Sequence, residues 1–210
     1  MYEISQKQHF IFRTNKLIEN IGASHIIREL TTDPRNLFTN LSLNKYINEE
    51  IDLPEPRYRI VGGGNASFIF EDKDEATTFS RNLSAFILRY FPSIELFLIQ
   101  KEINWNKELL FTKDGIINKM RNELATKKNE RRYAVKQESW GIQQVCATSG
   151  LPANTLLLNS DKELEPRAEE FKYIQAIGRN VRNDEYTDRF ITKNYNLTSV
   201  EKLSFFKQDD

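Results

Sequence analysis

The stretch VGGGNASFIF, Val61 to Phe70, holds the residues with the clearest chemical potential in this chain. Gly62, Gly63 and Gly64 are followed by Asn65, between two extended, β-forming segments. Glycine supplies positive φ without steric cost, so one reading is a tight hairpin turn. Two glycines satisfy a turn, however. A third, beside an asparagine amide, leaves bare backbone that a phosphate or another main chain can approach closely, and this is the second reading. Other candidates are fewer. Glu71, Asp72 and Asp74 lie past the far end of the following strand and fit the first turn of a helix. Cys146 is the one cysteine, which excludes an intramolecular disulfide and a multi-cysteine zinc site and reads as a small buried side chain. His9 and His25 have no Ser or Cys partner in sequence and read as structural. From Lys119 to Lys136 there are seven Lys or Arg against Glu123 and Glu130. Within that run, Lys127, Lys128, Arg131 and Arg132 would meet nucleic-acid phosphates or form a solvated helix face.

These residues need elements to position them, and the order is readable up to about residue 101. Gln8–Phe12 reads as a short apolar strand. Leu17–Leu30 reads as a helix that stops near Thr31, because Asp33 precedes Pro34. Leu41–Ile47 reads as a short helix in a looser connection. Arg57–Val61 and Ala66–Phe70 read as strands on either side of the glycines. Lys73–Phe91 is the strongest helix, with Ala76, Phe79, Leu83, Phe86, Ile87 and Tyr90 on one face and Pro92 as its stop. Ile94–Gln100 reads as a last strand. The order β-α-β-β-α-β is the ferredoxin-like arrangement, an α+β fold with an antiparallel sheet and both helices on one face.

Beyond that unit, expected over residues 1–104, residues 105–210 read as a mostly helical extension. It includes helical patterns over Asn106–Lys136 and Glu163–Arg179, an irregular segment around Cys146 and Pro152, and a weakly periodic tail. The chain carries 30 basic and 30 acidic residues, so no global field draws it to nucleic acid or membrane. With 39% hydrophobic residues and 14 Phe, it has material for a real core. Its longest apolar runs, such as Leu96–Ile99, are too short to span a bilayer, and MYEISQKQ lacks a signal-peptide pattern. A cytoplasmic location is therefore expected.

Three stretches, in this order, carry a resemblance: FIFRTNKLIENIGAS (Phe10–Ser24), YRIVGGGNASFIF (Tyr58–Phe70) and VCATSGLPAN (Val145–Asn154). The first two resemble the opening strand, turn and helix and the glycine hairpin of the palm domain of nucleotide polymerases and cyclases. More specifically, they are similar to the palm modules of the large polymerase-like subunit of type III CRISPR effector complexes. The third resembles a worn form of the cysteine-bearing, zinc-ribbon-like Gly-x-Pro-Ala segment that follows a palm there.

In that family, two acids just after two hairpin glycines hold the divalent metals that activate the attacking hydroxyl. Here those places are Gly64 and Asn65, and the strand read at His9–Arg13 offers no acid either. The resemblance thus implies a palm without metal ligands of its own. Such a module would bind a nucleoside triphosphate through Arg13, Asn15, Lys16 and Gly62 to Asn65, and would use Mg²⁺ only if a partner palm supplied acids. Arg13 and Lys16 also fit ordinary solvated surface, and Asn15 a turn or N-cap. The implied partner is a second palm, in the same, a longer or a neighbouring chain, or a homodimer. The setting is CRISPR-type or related antiviral defence, with no membrane. The alternatives are a minimal cyclic-oligonucleotide synthase and an accessory protein that binds nucleic acid through the basic helix.

Overall fold

The computed structural model describes residues 1–38, 51–62, 65–104, 112, 115–130, 141–146, 148–159 and 162–184. The expectations for Leu41–Ile47, Gly63, Gly64, Arg131, Arg132 and the tail beyond residue 184 lie outside these. Among the described residues the protein is mixed α/β, with a four-stranded antiparallel sheet and a separate two-stranded hairpin. The sheet is formed by β1 (Tyr2–Ser5), β2 (Tyr58–Gly62), β3 (Asn65–Ile69) and β4 (Glu95–Leu98), in the spatial order β2-β3-β1-β4. The second pair is β5 (Thr155–Leu158) and β6 (Leu164–Arg167). The helices are α1 (Lys7–Phe12), α2 (Leu17–Thr32), α3 (Arg35–Phe38), α4 (Lys73–Tyr90), α5 (Ile116–Glu130) and α6 (Glu170–Asp184).

The first strand is a correction. Gln8–Phe12 is helical, inside α1, with the Phe10 N–H donating to Gln6 O at 3.0 Å. Only Phe10 of that run is buried, and Phe12 is 69% exposed. The residues that enter the sheet lie upstream. Tyr2 and Ile4 are buried on one face, while Glu3 between them points to the other.

Sequence logic holds well for the two long helices next to the sheet. In α4 the side chain of Asp72 accepts a hydrogen bond from Glu75 N, Asp74 and Glu75 occupy the first turn, and Phe79, Leu83, Phe86, Ile87 and Tyr90 are buried. α2 ends at Asp33, which is extended (φ −149°, ψ 98°) as the residue before a proline prefers. Both helices lie on the face that carries Tyr2 and Ile4. The Tyr2 hydroxyl donates to Leu30 O in α2, and Phe68 of β3 meets Phe79 of α4 with centroids 5.1 Å apart.

The C-terminal part departs from expectation. Instead of one helix over Glu163–Arg179, residues Leu164–Arg167 form β6 and the helix begins at Glu170. Glu165 precedes Pro166 and is biased towards extended backbone, and proline is tolerated on a strand with one free edge. α6 then joins the main core. Phe171, Tyr173, Ile174, Ile177 and Val181 share one buried cluster with Tyr2, Ile4, Ala23, Ile26 and Leu30, so this core takes residues from both sides of position 104.

α2 and α6 meet backbone to backbone. A Cβ placed on Gly22 would lie 2.0 Å from Ile174 O, and one on Gly178 would lie 2.0 Å from Ile18 O. A methyl group at either position forces the helices apart. Alanine is the better helix former by about 1 kcal/mol, so local propensity alone favours the substitution. Gly22→Ala or Gly178→Ala is nonetheless expected to destabilise the protein, by about 2 kcal/mol or more in urea unfolding. A gain in stability would show that the helices separate freely.

Candidate functional site

The hairpin between β2 and β3 is closed by the pair Gly62 and Asn65. Asn65 also sits opposite Glu3 on β1, and Glu3 sits opposite Phe97 on β4. Directly opposed residues of an antiparallel sheet point to the same face. Glu3, Asn65 and Phe97 therefore share the face turned away from α2 and α4. Asn65 Oδ1 is buried and has no hydrogen-bond partner among the described residues.

Glu3 is the residue that sequence reading missed. With the first strand assigned to His9–Arg13, that strand offered no acid. The true β1 carries a carboxylate beside the glycine hairpin. The available signal was the alternation in Tyr2-Glu3-Ile4, only four residues long with Ser5.

α5 covers part of this face. Ile116, Ile117, Met120 and Leu124 pack with Phe97 and Ile99 in a second, smaller core. Lys128 reaches the sheet and pairs with Glu3 (Nζ to Oε1, 2.6 Å), while Lys127 Nζ lies 3.5 Å from Leu98 O. Lys127 and Lys128, the described members of the four candidate phosphate contacts, thus lean on the sheet. Among the described residues no group of three or more His, Cys, Asp or Glu is placed to hold a metal ion, and Glu71, Asp72 and Asp74 are exposed at the start of α4.

Arg13, Asn15 and Lys16 are not gathered at the hairpin. Asn15 is exposed in the turn between α1 and α2, where the N-cap residue is Lys16. Lys16 pairs with Glu165 of β6 at 3.3 Å. The Arg13 side chain is only 5% exposed and pairs with the fully buried Glu170 at 2.6 Å. Ser93 joins that pair, accepting from Arg13 and donating to Glu170. The solvated-surface alternative for Arg13 is therefore replaced by an interior ion pair.

A second buried pair stands beside it. Arg167 Nη2 contacts both oxygens of Glu19 at 2.7 and 2.8 Å, and Gln175 Nε2 donates to Glu19 Oε1 at 2.9 Å. The ring of Phe171 lies between the two arginines, 4.5 Å from the Arg13 guanidinium carbon and 4.2 Å from that of Arg167. Opposite charges balance, and the ring face offsets part of each cation's desolvation.

Cys146 lies in a tight loop fixed by the bridge between Val145 and Pro152, with Cys146 N donating to Leu151 O at 2.8 Å and Gly150 N to Cys146 O at 3.0 Å. Burial alone would push its thiol up. The Ser149 hydroxyl and the N–H groups of Ala168, Ser149 and Thr148 more than offset this and hold it below the ordinary cysteine value.

No described helix is long and apolar enough to cross a membrane. No family model matches the chain, and no curated protein is significantly similar to it.

The two buried pairs lead to a double-mutant test. Removing one partner strands a buried charge, so Arg167→Met or Glu19→Leu alone is expected to cost roughly 3–5 kcal/mol. The double substitution should cost well under the sum of the two, because neither charge is then left alone. Additive losses in denaturant melts would mean that Glu19 and Arg167 do not depend on one another.

Proposed function

We propose that this chain is a non-catalytic, palm-like module of a CRISPR-type or related antiviral system, which binds nucleotide, pairs with an acid-bearing palm, or both. The observation that carries the reading is the neighbourhood of Glu3 and Asn65. The sheet order β2-β3-β1-β4, with α2 and α4 on one face, fits the ferredoxin-like arrangement of a palm. In such a palm, first-strand and hairpin acids meet on the opposite face. Here the first strand does supply Glu3, but the hairpin supplies the neutral Asn65, and the Lys128 ammonium already stands at the Glu3 carboxylate. One carboxylate paired with an internal cation falls short of the charge that a two-metal site requires. The Cys146 loop, shaped by N–H groups directed at one sulfur, fits a worn cysteine-bearing segment after the palm.

In this role the module's residues bind and position, and do no chemistry. The Gly62 to Asn65 hairpin offers main-chain N–H groups to a phosphate, and the partner palm brings the metal ligands and the metal. Arg13 takes no part in ligand contact, because its guanidinium is held inside by Glu170.

The test has a loss arm and a gain arm. Incubated with ATP, GTP and Mg²⁺ or Mn²⁺, the protein is expected to form no cyclic or linear oligonucleotide. ATP should still raise its melting temperature, and Gly64→Ala should remove that rise. Combining Asn65→Asp with Lys128→Ala adds a carboxylate and removes the ammonium, so a Mn²⁺-dependent rise in melting temperature should appear that the parent lacks. Metal-dependent product that disappears in Glu3→Gln would instead make the protein a synthase. No response to nucleotide, together with no Mn²⁺ response in the double variant, would sink the palm reading.

A further inference from the structure

The hairpin of β5 and β6 has two unlike faces. Leu157 and Arg167 turn inward, where Leu157 packs on the main core and Arg167 is buried. On the outer face Leu156 stands opposite Pro166, and Leu158 opposite Leu164. Leu156, Leu158 and Leu164 are 57%, 59% and 64% exposed. The core makes no use of these side chains, and a sheet face turned to water ordinarily carries polar residues.

The main chain of β5 is open at the same place. Asn159 N–H donates to Glu163 O at 2.8 Å. Alternation along the ladder then turns the N–H and C=O of Leu157 towards β6, and those of Leu156 and Leu158 away from it. Among the described residues nothing bonds to these outward groups; the edge is met only before its start, where Ala153 N–H donates to Gln144 O at 2.7 Å. The other described edges carry the charge or proline that guards an open strand: Arg59 on β2, Glu95 on β4, Glu165 and Pro166 on β6. Residues 155–159 have neither.

We propose that the β5 edge pairs antiparallel with the β5 edge of a second copy of this chain, joining two hairpins into one four-stranded sheet about a two-fold axis. The strand that suits this edge is short, neutral and apolar, with an open edge of its own, and β5 itself meets that description. With Leu157 on the axis, Leu156 stands opposite Leu158 of the partner subunit, and Leu158 opposite Leu156 of the partner subunit. Each such pair exchanges two main-chain hydrogen bonds, which satisfies the outward groups of both strands. The facing leucines also cover part of one another on the outer face. No like charges meet, because Thr155 stands opposite Asn159 of the partner subunit. The chain's 30 basic residues balance its 30 acidic ones, so the copies do not repel each other as wholes. The contact is small beside a standard interface, which makes the dimer weak, about micromolar or weaker. It uses no residue of the glycine hairpin and does not depend on the palm reading.

Sedimentation velocity of the full chain, from low to high micromolar concentration, is expected to show a reversible equilibrium between monomer and dimer. Amide exchange at Leu156 and Leu158 should slow by about tenfold across the same range. Leu158→Pro keeps the hairpin's own hydrogen bonds and removes one outward donor, so it should weaken the dimer by about tenfold or more. Leu156→Lys combined with Leu158→Lys, at two exposed positions, sets like charges opposite one another and should leave a monomer that melts as the parent does. The proposal is overturned by a protein that stays monomeric throughout. It is overturned equally by amides at Leu156 and Leu158 that are protected alike at every concentration, which would assign the edge to a segment of this same chain. A dimer that either variant leaves intact would place the contact elsewhere and overturn it too.

Discussion

The contact between Gly22 and Gly178 governs much of the structure. Two helices that touch at their backbones exclude water from the seam on either side, and whatever side chains flank the seam become interior. Glu19 sits in the first turn of α2 and Glu170 in the first turn of α6, positions that favour a carboxylate on helix-dipole grounds. Close approach of the helices then removes both from solvent. Arg167 and Arg13 follow as a requirement, because an unpaired carboxylate in that interior would neutralise or open the seam. The causal order runs from glycine to helix distance to buried charge. The ion pairs add little net stability, yet they make one register of α6 on α2 far better than its neighbours, since a slip separates both pairs together.

That seam also decides what the hairpin end of the sheet can offer. Arg13 leaves α1 close to Ser93, just before β4, so by chain position it stands near the glycine turn. Glu170 draws it inward. A cation that sequence assigns to ligand contact is thus a structural member, and the cation that reaches the sheet face comes from Lys128, more than one hundred residues away in sequence.

How much was legible in the sequence follows from how local each cause is. α4 was readable in full because its cap, its apolar spacing and Pro92 all lie within twenty residues of one another. The β2–β3 hairpin was readable from glycine chemistry and strand-forming flanks. The first strand was not, because Phe10 and Ile11 make a short apolar run that suits a strand and a single helical turn equally, and no periodicity can form in so few residues. Leu164–Arg167 was absorbed into the helix that follows, although Glu165 before Pro166 argued against it. Glu3, Lys128, Arg13 and Glu170 were beyond reach, since each role depends on a partner brought close only by the completed fold.

The two faces of the sheet differ in a way that bears on what Glu3 is for. The α2–α4 face is apolar and continuous with the main core. The other is held to α5 by a smaller cluster around Phe97, Ile99, Ile117 and Met120, which is enough to seat the helix without help from charge. The Lys128–Glu3 pair at its margin keeps partial solvent contact, with side chains 37% and 22% exposed, and pairs of that kind contribute about 0–1 kcal/mol. A threonine or valine would suit the central strand better at position 3. The carboxylate is therefore not explained by folding. Nor is the buried Asn65 Oδ1 opposite it, whose desolvation costs stability and which has no hydrogen-bond partner among the described residues. Glu3 and Asn65 thus face each other beside the glycine hairpin as two oxygen-bearing side chains that folding does not call for, and it is on them that the proposed palm reading rests.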